Sequence, residues 1–110
     1  MNNIDIVIYT TKTGKSPFYA WENKLDTKVQ AIIASRLDRI RLGNFGDCKP
    51  IQGGGGVKEL RVDFGPGYRI YFGVQGSTVV ILLIGGEKKS QSRDIEKAKQ
   101  YWLECREQLL

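Results

Sequence analysis

The sequence contains no histidine. Imidazole is the side chain whose ordinary pKa lies nearest neutrality, so its absence excludes a histidine general base and a histidine-ligated metal. Cysteine is scarce: there are two, Cys48 and Cys105. One is expected in a loop and one near the end of a helix. They do not make a metal site and read as free thiols of a reducing compartment, which implies a cytoplasmic protein. No metal and no cofactor are expected. Long apolar runs are missing. The most apolar stretch, Ser77 to Ile84, falls well short of the roughly 20 residues that a membrane-crossing helix needs. Met1 to Tyr9 is too short and too strand-like for a secretion signal, so no membrane partner is expected. Acidic residues are outnumbered, 12 against 17 lysines and arginines, for a net charge of +5 and a pI near 9.3. A basic balance favours a polyanionic partner without choosing among nucleic acid, acidic protein and anionic membrane. The remaining composition, 41% hydrophobic and 26% charged over 110 residues, suits one soluble domain, residues 1–110, with one core.

What is present is organised around Val57 to Gly86. Val57 to Phe64 and Tyr68 to Val74 alternate apolar and polar residues on either side of Gly65-Pro66-Gly67, and Ser77 to Ile84 follows a Gln75-Gly76 turn. This pattern predicts a three-stranded antiparallel meander. The alternation also assigns faces. If Phe64 pairs with Tyr68, then Leu60, Val62, Phe64, Tyr68, Ile70 and Phe72 make one apolar face. The other face carries Asp63 opposite Arg69 and Arg61 opposite Tyr71. Such a surface is either a solvated face with weak cross-strand ion pairs or a site.

Upstream, Ile4 to Tyr9 predicts a first strand and Thr10 to Lys15 a polar turn. Ser16-Pro17 is a helix-start signal, Ser as cap and Pro in the first turn. A short helix, Pro17 to Asn23, turns Phe18 and Trp21 inward. A second helix, capped by Asp26, places Val29, Ile32, Ile33, Leu37 and Ile40 at helical spacing and stops at Gly43. Its other face carries Lys28, Arg36, Arg39 and Arg41, which read as a solvated stripe. Gly43 to Gly56 is expected to be a loop. Its four consecutive glycines, Gly53 to Gly56, are followed by no Gly-Lys-Ser/Thr and lead into a strand. They read as a flexible approach to the sheet rather than a nucleotide loop. Downstream, Glu87 to Arg93 is a polar, basic connector. Ser90 or Ser92 can cap a last helix with Asp94 and Glu96 in its first turn. Ile95, Ala98, Trp102 and Leu109 lie on one stripe of that helix, packed on the sheet. The expected fold is α+β: a small antiparallel sheet (N-terminal strand plus three-stranded meander) with two N-terminal helices and a C-terminal helix. The helices are expected to cover one sheet face, leaving Arg61, Arg69 and Tyr71 over an open groove.

Four segments together resemble the RelE/ParE toxin superfamily, and within it the phage-derived addiction module killer group related to HigB toxins. They are Ser16-Pro17-Phe18 with Trp21; Arg36 to Pro50; Glu59 to Phe72, with Gly67-Tyr68-Arg69 at its centre; and Leu82 to Ile95, continuing to Ala98 and Trp102. They cover nearly the whole chain in collinear order. The resemblance implies the toxin of a type II toxin–antitoxin module, with a RelE/ParE-like fold. It implies an mRNA interferase, a metal-independent endoribonuclease that enters the ribosome, cuts the message and inhibits translation. It also implies a cognate antitoxin, typically a helix-turn-helix DNA-binding protein. The same fold supports a ParE-like DNA gyrase inhibitor, and a non-catalytic module that binds RNA or antitoxin is a third reading.

Cleaving RNA through its 2′-hydroxyl requires loss of a proton from the nucleophile, stabilisation of the phosphorane and a proton or positive field at the leaving oxygen. Without histidine, the resemblance assigns this work to arginine, lysine and tyrosine. Arg69 resembles the phosphate-contacting arginine, a role that suits a planar bidentate guanidinium. Lys88 and Lys89 fall where the family carries basic residues after the last strand. Arg61 is the neighbouring cation, and Tyr71 is a candidate for base stacking or proton donation. Lys58, Arg93, Arg36 and Arg39 are the candidate RNA-binding residues. A family lysine on the first meander strand is replaced by Glu59 or Val57, depending on register, and Glu59 reads as a general base or as a charge partner of the arginines.

Overall fold

The computed structural model describes residues 3–108. Leu109, expected on the last helical stripe, lies outside the described residues. The elements run β1 (Asp5–Ile8), α1 (Pro17–Glu22), α2 (Thr27–Arg41), β2 (Cys48–Pro50), β3 (Lys58–Val62), β4 (Tyr68–Gln75), β5 (Val79–Glu87), a 3₁₀ turn (Lys88–Ser90) and α3 (Gln91–Gln108). The α+β class and the sequence of helices around a meander are those expected.

The helix starts follow from local chemistry. Ser16 Oγ accepts from the Tyr19 N–H at 3.3 Å with Pro17 in the first turn, and Asp26 Oδ1 accepts from the Lys28 N–H at 3.0 Å. Helix α2 ends as Asn44 N–H donates to Arg39 O at 2.9 Å and Gly43 N–H to Ile40 O at 2.8 Å. That pair of bonds is a Schellman motif and fixes the stop at the glycine.

The sheet is wider than the meander. Its strand order is β1-β5-β4-β3-β2, with β1 parallel to β5 and the other pairs antiparallel. Strand β2 lies inside the segment expected to be loop. It is three residues long and ends in Pro50, a residue that a sheet accepts at its edge, so no alternation announces it. Pairing of β3 with β4 joins Val62 to Tyr68 and Arg61 to Arg69, two residues away from the expected register. The turn is therefore longer. Gly67 N–H donates to Phe64 O at 3.0 Å, and Gly67 adopts φ +83°, a conformation glycine takes without strain. A slip of two preserves the faces. Leu60, Val62, Tyr68, Ile70 and Phe72 share one apolar face as expected, while Phe64 sits in the turn, 37% exposed.

Helices cover both faces, and this corrects the expected open groove. Against one face α1 and α2 bury Phe18, Ile33, Ile40, Leu60, Ile70, Phe72 and Leu82, each at most 1% exposed. Burying a side chain of this size contributes about 1.5–3 kcal/mol. Helix α3 lies on the other face, where Trp102, Ala98 and Cys105 pack with Tyr9, Val57, Tyr71, Ile81 and Leu83. Those five residues make a second apolar patch that water would otherwise meet, and the Ile95–Ala98–Trp102 stripe covers it. Strand β5 continues through Gly85 and Gly86, expected to end it, because each side of the strand is occupied. A Cβ at Gly85 would run into the Trp21 ring from α1, and one at Gly86 into the Asp94 carboxylate from α3. Among the described residues no helix is long and apolar enough to cross a membrane.

Candidate functional site

Beyond the end of the α3-side core, the same sheet face becomes polar. Glu59 and Arg61 come from β3, and Arg69 and Tyr71 from β4, with Arg61 opposite Arg69 and Glu59 opposite Tyr71. The carboxylate that meets the arginines is thus Glu59. Asp63, expected opposite Arg69, is exposed in the turn.

Glu59 is fully buried. Its Oε1 accepts from Arg61 Nε at 3.1 Å and stands 3.8 Å from Arg69 Nε, and its Oε2 accepts from Gln91 Nε2 at 2.6 Å. A buried charge persists only when paired and hydrogen-bonded, and two guanidinium groups and an amide supply that here. The Arg61 side chain keeps about a third of its surface in solvent, 34%, while Arg69 keeps 10%. Arg69 Nη1 donates to the Tyr68 carbonyl at 3.2 Å. Tyr71 is wholly buried beside them, and its hydroxyl has no hydrogen-bond partner of ordinary geometry among the protein atoms described. Burial, then the charges of Glu59 and Asp94, push its pKa far above the usual phenol value, with Arg69 opposing. Tyr71 therefore stays protonated and is closed off from solvent.

The 3₁₀ turn closes over the end of this cluster. Lys88 N–H donates to Gly67 O at 2.9 Å, tying the turn to the β3–β4 loop. A Cβ at Gly67 would lie 3.5 Å from Lys88 Cβ and 3.7 Å from Arg69 Nη1. Gly67 thus marks where the lysine stem and the guanidinium come together. Ser90 Oγ lies 2.5 Å from Asp94 Oδ2, and Asp94 is buried over Gly86, the cross-strand partner of Arg69.

The fold brings Arg61, Arg69, Tyr71 and Lys88 to one place. Lys89, one residue on, lines a different cleft between α1 and α3 together with Arg93. Lys58 shares the parity of Leu60 and Val62 and is close enough to Cys48 for its charge to favour that thiolate, so it belongs to the opposite sheet face from Arg69. Arg36 Nη1 donates to the Arg61 carbonyl at 2.9 Å, and Arg39 is exposed on α2. Gln91, Asp94 and Ser90 complete the cluster without having been singled out for it. Asp94 was legible only as a first-turn acid, and Gln91 carried no signal. Among the described residues no group of three or more Cys, Asp or Glu gathers as a metal-ligand set. Chemically, the arrangement offers the partly exposed Arg61 guanidinium and the Lys88 ammonium at the rim, with the nearly buried Arg69 guanidinium and a sealed carboxylate and phenol behind.

Comparison with known proteins places this surface in a family context. The sequence model described as "Phage derived protein Gp49-like (DUF891)" matches residues 20–102, which include all the cluster residues. An uncharacterized protein of Haemophilus influenzae is 44% identical over 95 residues, 86% of this chain and 90% of the relative.

Proposed function

Starting from a chain that belongs to the Gp49-like family of phage-derived proteins, we propose that residues 1–110 form one toxin domain of a type II toxin–antitoxin module. Its proposed activity is that of a ribosome-dependent mRNA endoribonuclease. The family is associated with toxins of the RelE/ParE-like kind. HigB-type membership, the ribosome and the message belong to this proposal, as do a cytoplasmic location and a cognate antitoxin.

The observation that carries it is that Arg69 and Lys88 come together at Gly67 while Arg61 stands opposite Arg69 across β3 and β4. A phosphodiester at the rim would face the Arg69 guanidinium, with Arg61 and Lys88 on either side. Positive groups fixed before the reaction stabilise the charge that develops on the phosphorane oxygens. Glu59 accepts from Arg61 and is the counter-charge 3.8 Å from Arg69 Nε, while the Tyr68 carbonyl accepts from Arg69 Nη1, so both cations are in place before substrate arrives. Tyr71, sealed and kept protonated, does not take the 2′-hydroxyl proton. That proton passes to water, the P–O5′ bond breaks, and the leaving 5′-oxygen takes a proton back from water, with electrostatic stabilisation by the fixed cations supplying most of the rate. The test is message mapping in a translating extract. Cuts that appear with the wild-type protein and vanish with Arg69→Ala support the assignment. Equal cutting by that variant overturns it.

One observation favours a second reading. Arg69 is nine-tenths buried and paired with Glu59, and the phenol is sealed. A ParE-like gyrase inhibitor needs no proton transfer of its own. DNA breaks without message cuts would identify it.

A further inference from the structure

We infer that the cleft between α1 and α3 holds a single-stranded stretch of RNA beside the phosphate proposed to bind at Arg69. The inference rests on the endoribonuclease assignment for its position, but its own contacts are separate. The cleft encloses about 500 Å³, and Trp21, Lys24, Lys89, Arg93, Lys97 and Tyr101 line it. Arg93, Lys97 and Tyr101 recur every fourth residue, so α3 presents them as one stripe. Lys24 follows α1, and Lys89 sits on the 3₁₀ turn, so cations reach the cleft from three directions.

Its charge is largely uncompensated. Lys89 has a carboxylate, Glu87, at 3.8 Å. Among the described ion pairs, none involves Lys24, Arg93 or Lys97. The acid at the floor, Asp94, is buried and engaged with Ser90. The surface therefore calls for a polyanion. The aromatic rings select its kind. Trp21 is half-buried over Gly85, where a Cβ would run into its ring, and Tyr101 lines the cleft from α3. Unpaired bases stack on such rings while cations track the backbone, and paired bases cannot. The cleft also adjoins the proposed cutting site, because its floor residue Gly86 is the β-partner of Arg69. A strand held at Arg69 would pass over Lys88 and Lys89 to reach it.

The protein carries two tryptophans. Trp102 is buried between α3, which carries it, and the sheet, 7% exposed, so quenching by a bound strand reports Trp21. The purified full chain is titrated with a ten-nucleotide uridine RNA at low salt, and binding is followed by tryptophan emission. Saturable quenching is expected, lost in Trp21→Phe. In Arg93→Glu/Lys97→Glu the affinity falls at least tenfold, and the slope of log K against log salt becomes shallower by about 1.4, from about 0.7 per phosphate contact on single strands. Absence of quenching, unchanged affinity in the double variant, or polyglutamate binding as tightly as the RNA each overturns the inference, the last by identifying an acidic polypeptide as the occupant. Message cuts with no RNA in the cleft would defeat the cleft alone. Binding in the cleft by a wild-type protein that cuts no message would defeat the nuclease assignment alone.

Discussion

Arg61 and Arg69 face each other directly across β3 and β4. Like charges paired this way repel, and what reconciles them is the buried carboxylate of Glu59, 3.1 Å from one Nε and 3.8 Å from the other. Removing that charge leaves two guanidinium groups uncompensated, one of them nearly buried. Breaking a buried pair by deleting one partner costs about 3–5 kcal/mol, and the partial exposure of Arg61 places Glu59→Gln near the lower figure. Urea unfolding should show this as a fallen midpoint at unchanged slope. A loss under about 1 kcal/mol, the range of exposed pairs, would mean that Glu59 is not the counter-charge that holds the arginines.

Arg69→Lys should behave almost as badly as Arg69→Ala in message cleavage, despite keeping the charge. An ammonium on a flexible stem cannot hold the guanidinium's fork toward a phosphate and toward Glu59 together. Loss of one preorganised donor typically costs about 10²–10³ in rate, and the lysine variant should fall in that range when cut message is quantified by primer extension. Near wild-type cutting by the lysine variant would reduce Arg69 to a diffuse positive charge.

Alkaline pH should expose the sealed phenols. Tyr9 is pushed up to about 12, by burial first and then by its hydrogen bond to Glu104, and Tyr71 is raised further. A phenol whose folded pKa exceeds its unfolded value stabilises the fold fully below the unfolded value, about 10. That contribution is lost as pH rises from there through the folded value. In a spectrophotometric titration of the phenolate band, part of the tyrosine signal should stay silent past pH 11 while the protein remains folded. Tyr9→Phe and Tyr71→Phe should each remove part of that late fraction. Ionisation of all five tyrosines near the ordinary value in the folded state would contradict the burial.

Much of the fold is written in short-range pattern. Ser16-Pro17, Asp26 and Gly43 set the helix boundaries by hydrogen bonds made within a few residues, and alternation from Leu60 to Phe72 placed the core face despite a register two residues off. The layering was not legible in the same way. The Tyr9–Val57–Tyr71–Ile81–Leu83 patch is assembled from four separate stretches, and only the assembled sheet shows that it must be covered. Lys88 and Lys89 are indistinguishable as neighbours in sequence, yet a 3₁₀ turn sends one to Gly67 and the other to a separate cleft. Glu59 shows the same limit: a lone acid in an alternating strand reveals neither its burial nor Gln91, 32 residues away, as its donor.

Arg36 and Arg39 lie three residues apart on α2 and looked alike as cations, but the structure gives them different work. Arg36 Nη1 donates to the Arg61 carbonyl at 2.9 Å, and its guanidinium packs close to Gly46, so it ties α2 and the following loop to the edge of β3. A hydrogen bond from a charged donor contributes about 1.5–3 kcal/mol, and Arg36→Met should lose an amount of that order in urea unfolding. Arg39 is exposed, and Arg39→Met should stay within about 0.5 kcal/mol of wild type, as surface changes generally do. If Arg36 supports the site through β3, message cleavage by Arg36→Met should weaken only as far as Arg61 shifts, with KM rising more than kcat falls. Equal stability of the two variants would return Arg36 to the solvated face and leave its cation free for RNA.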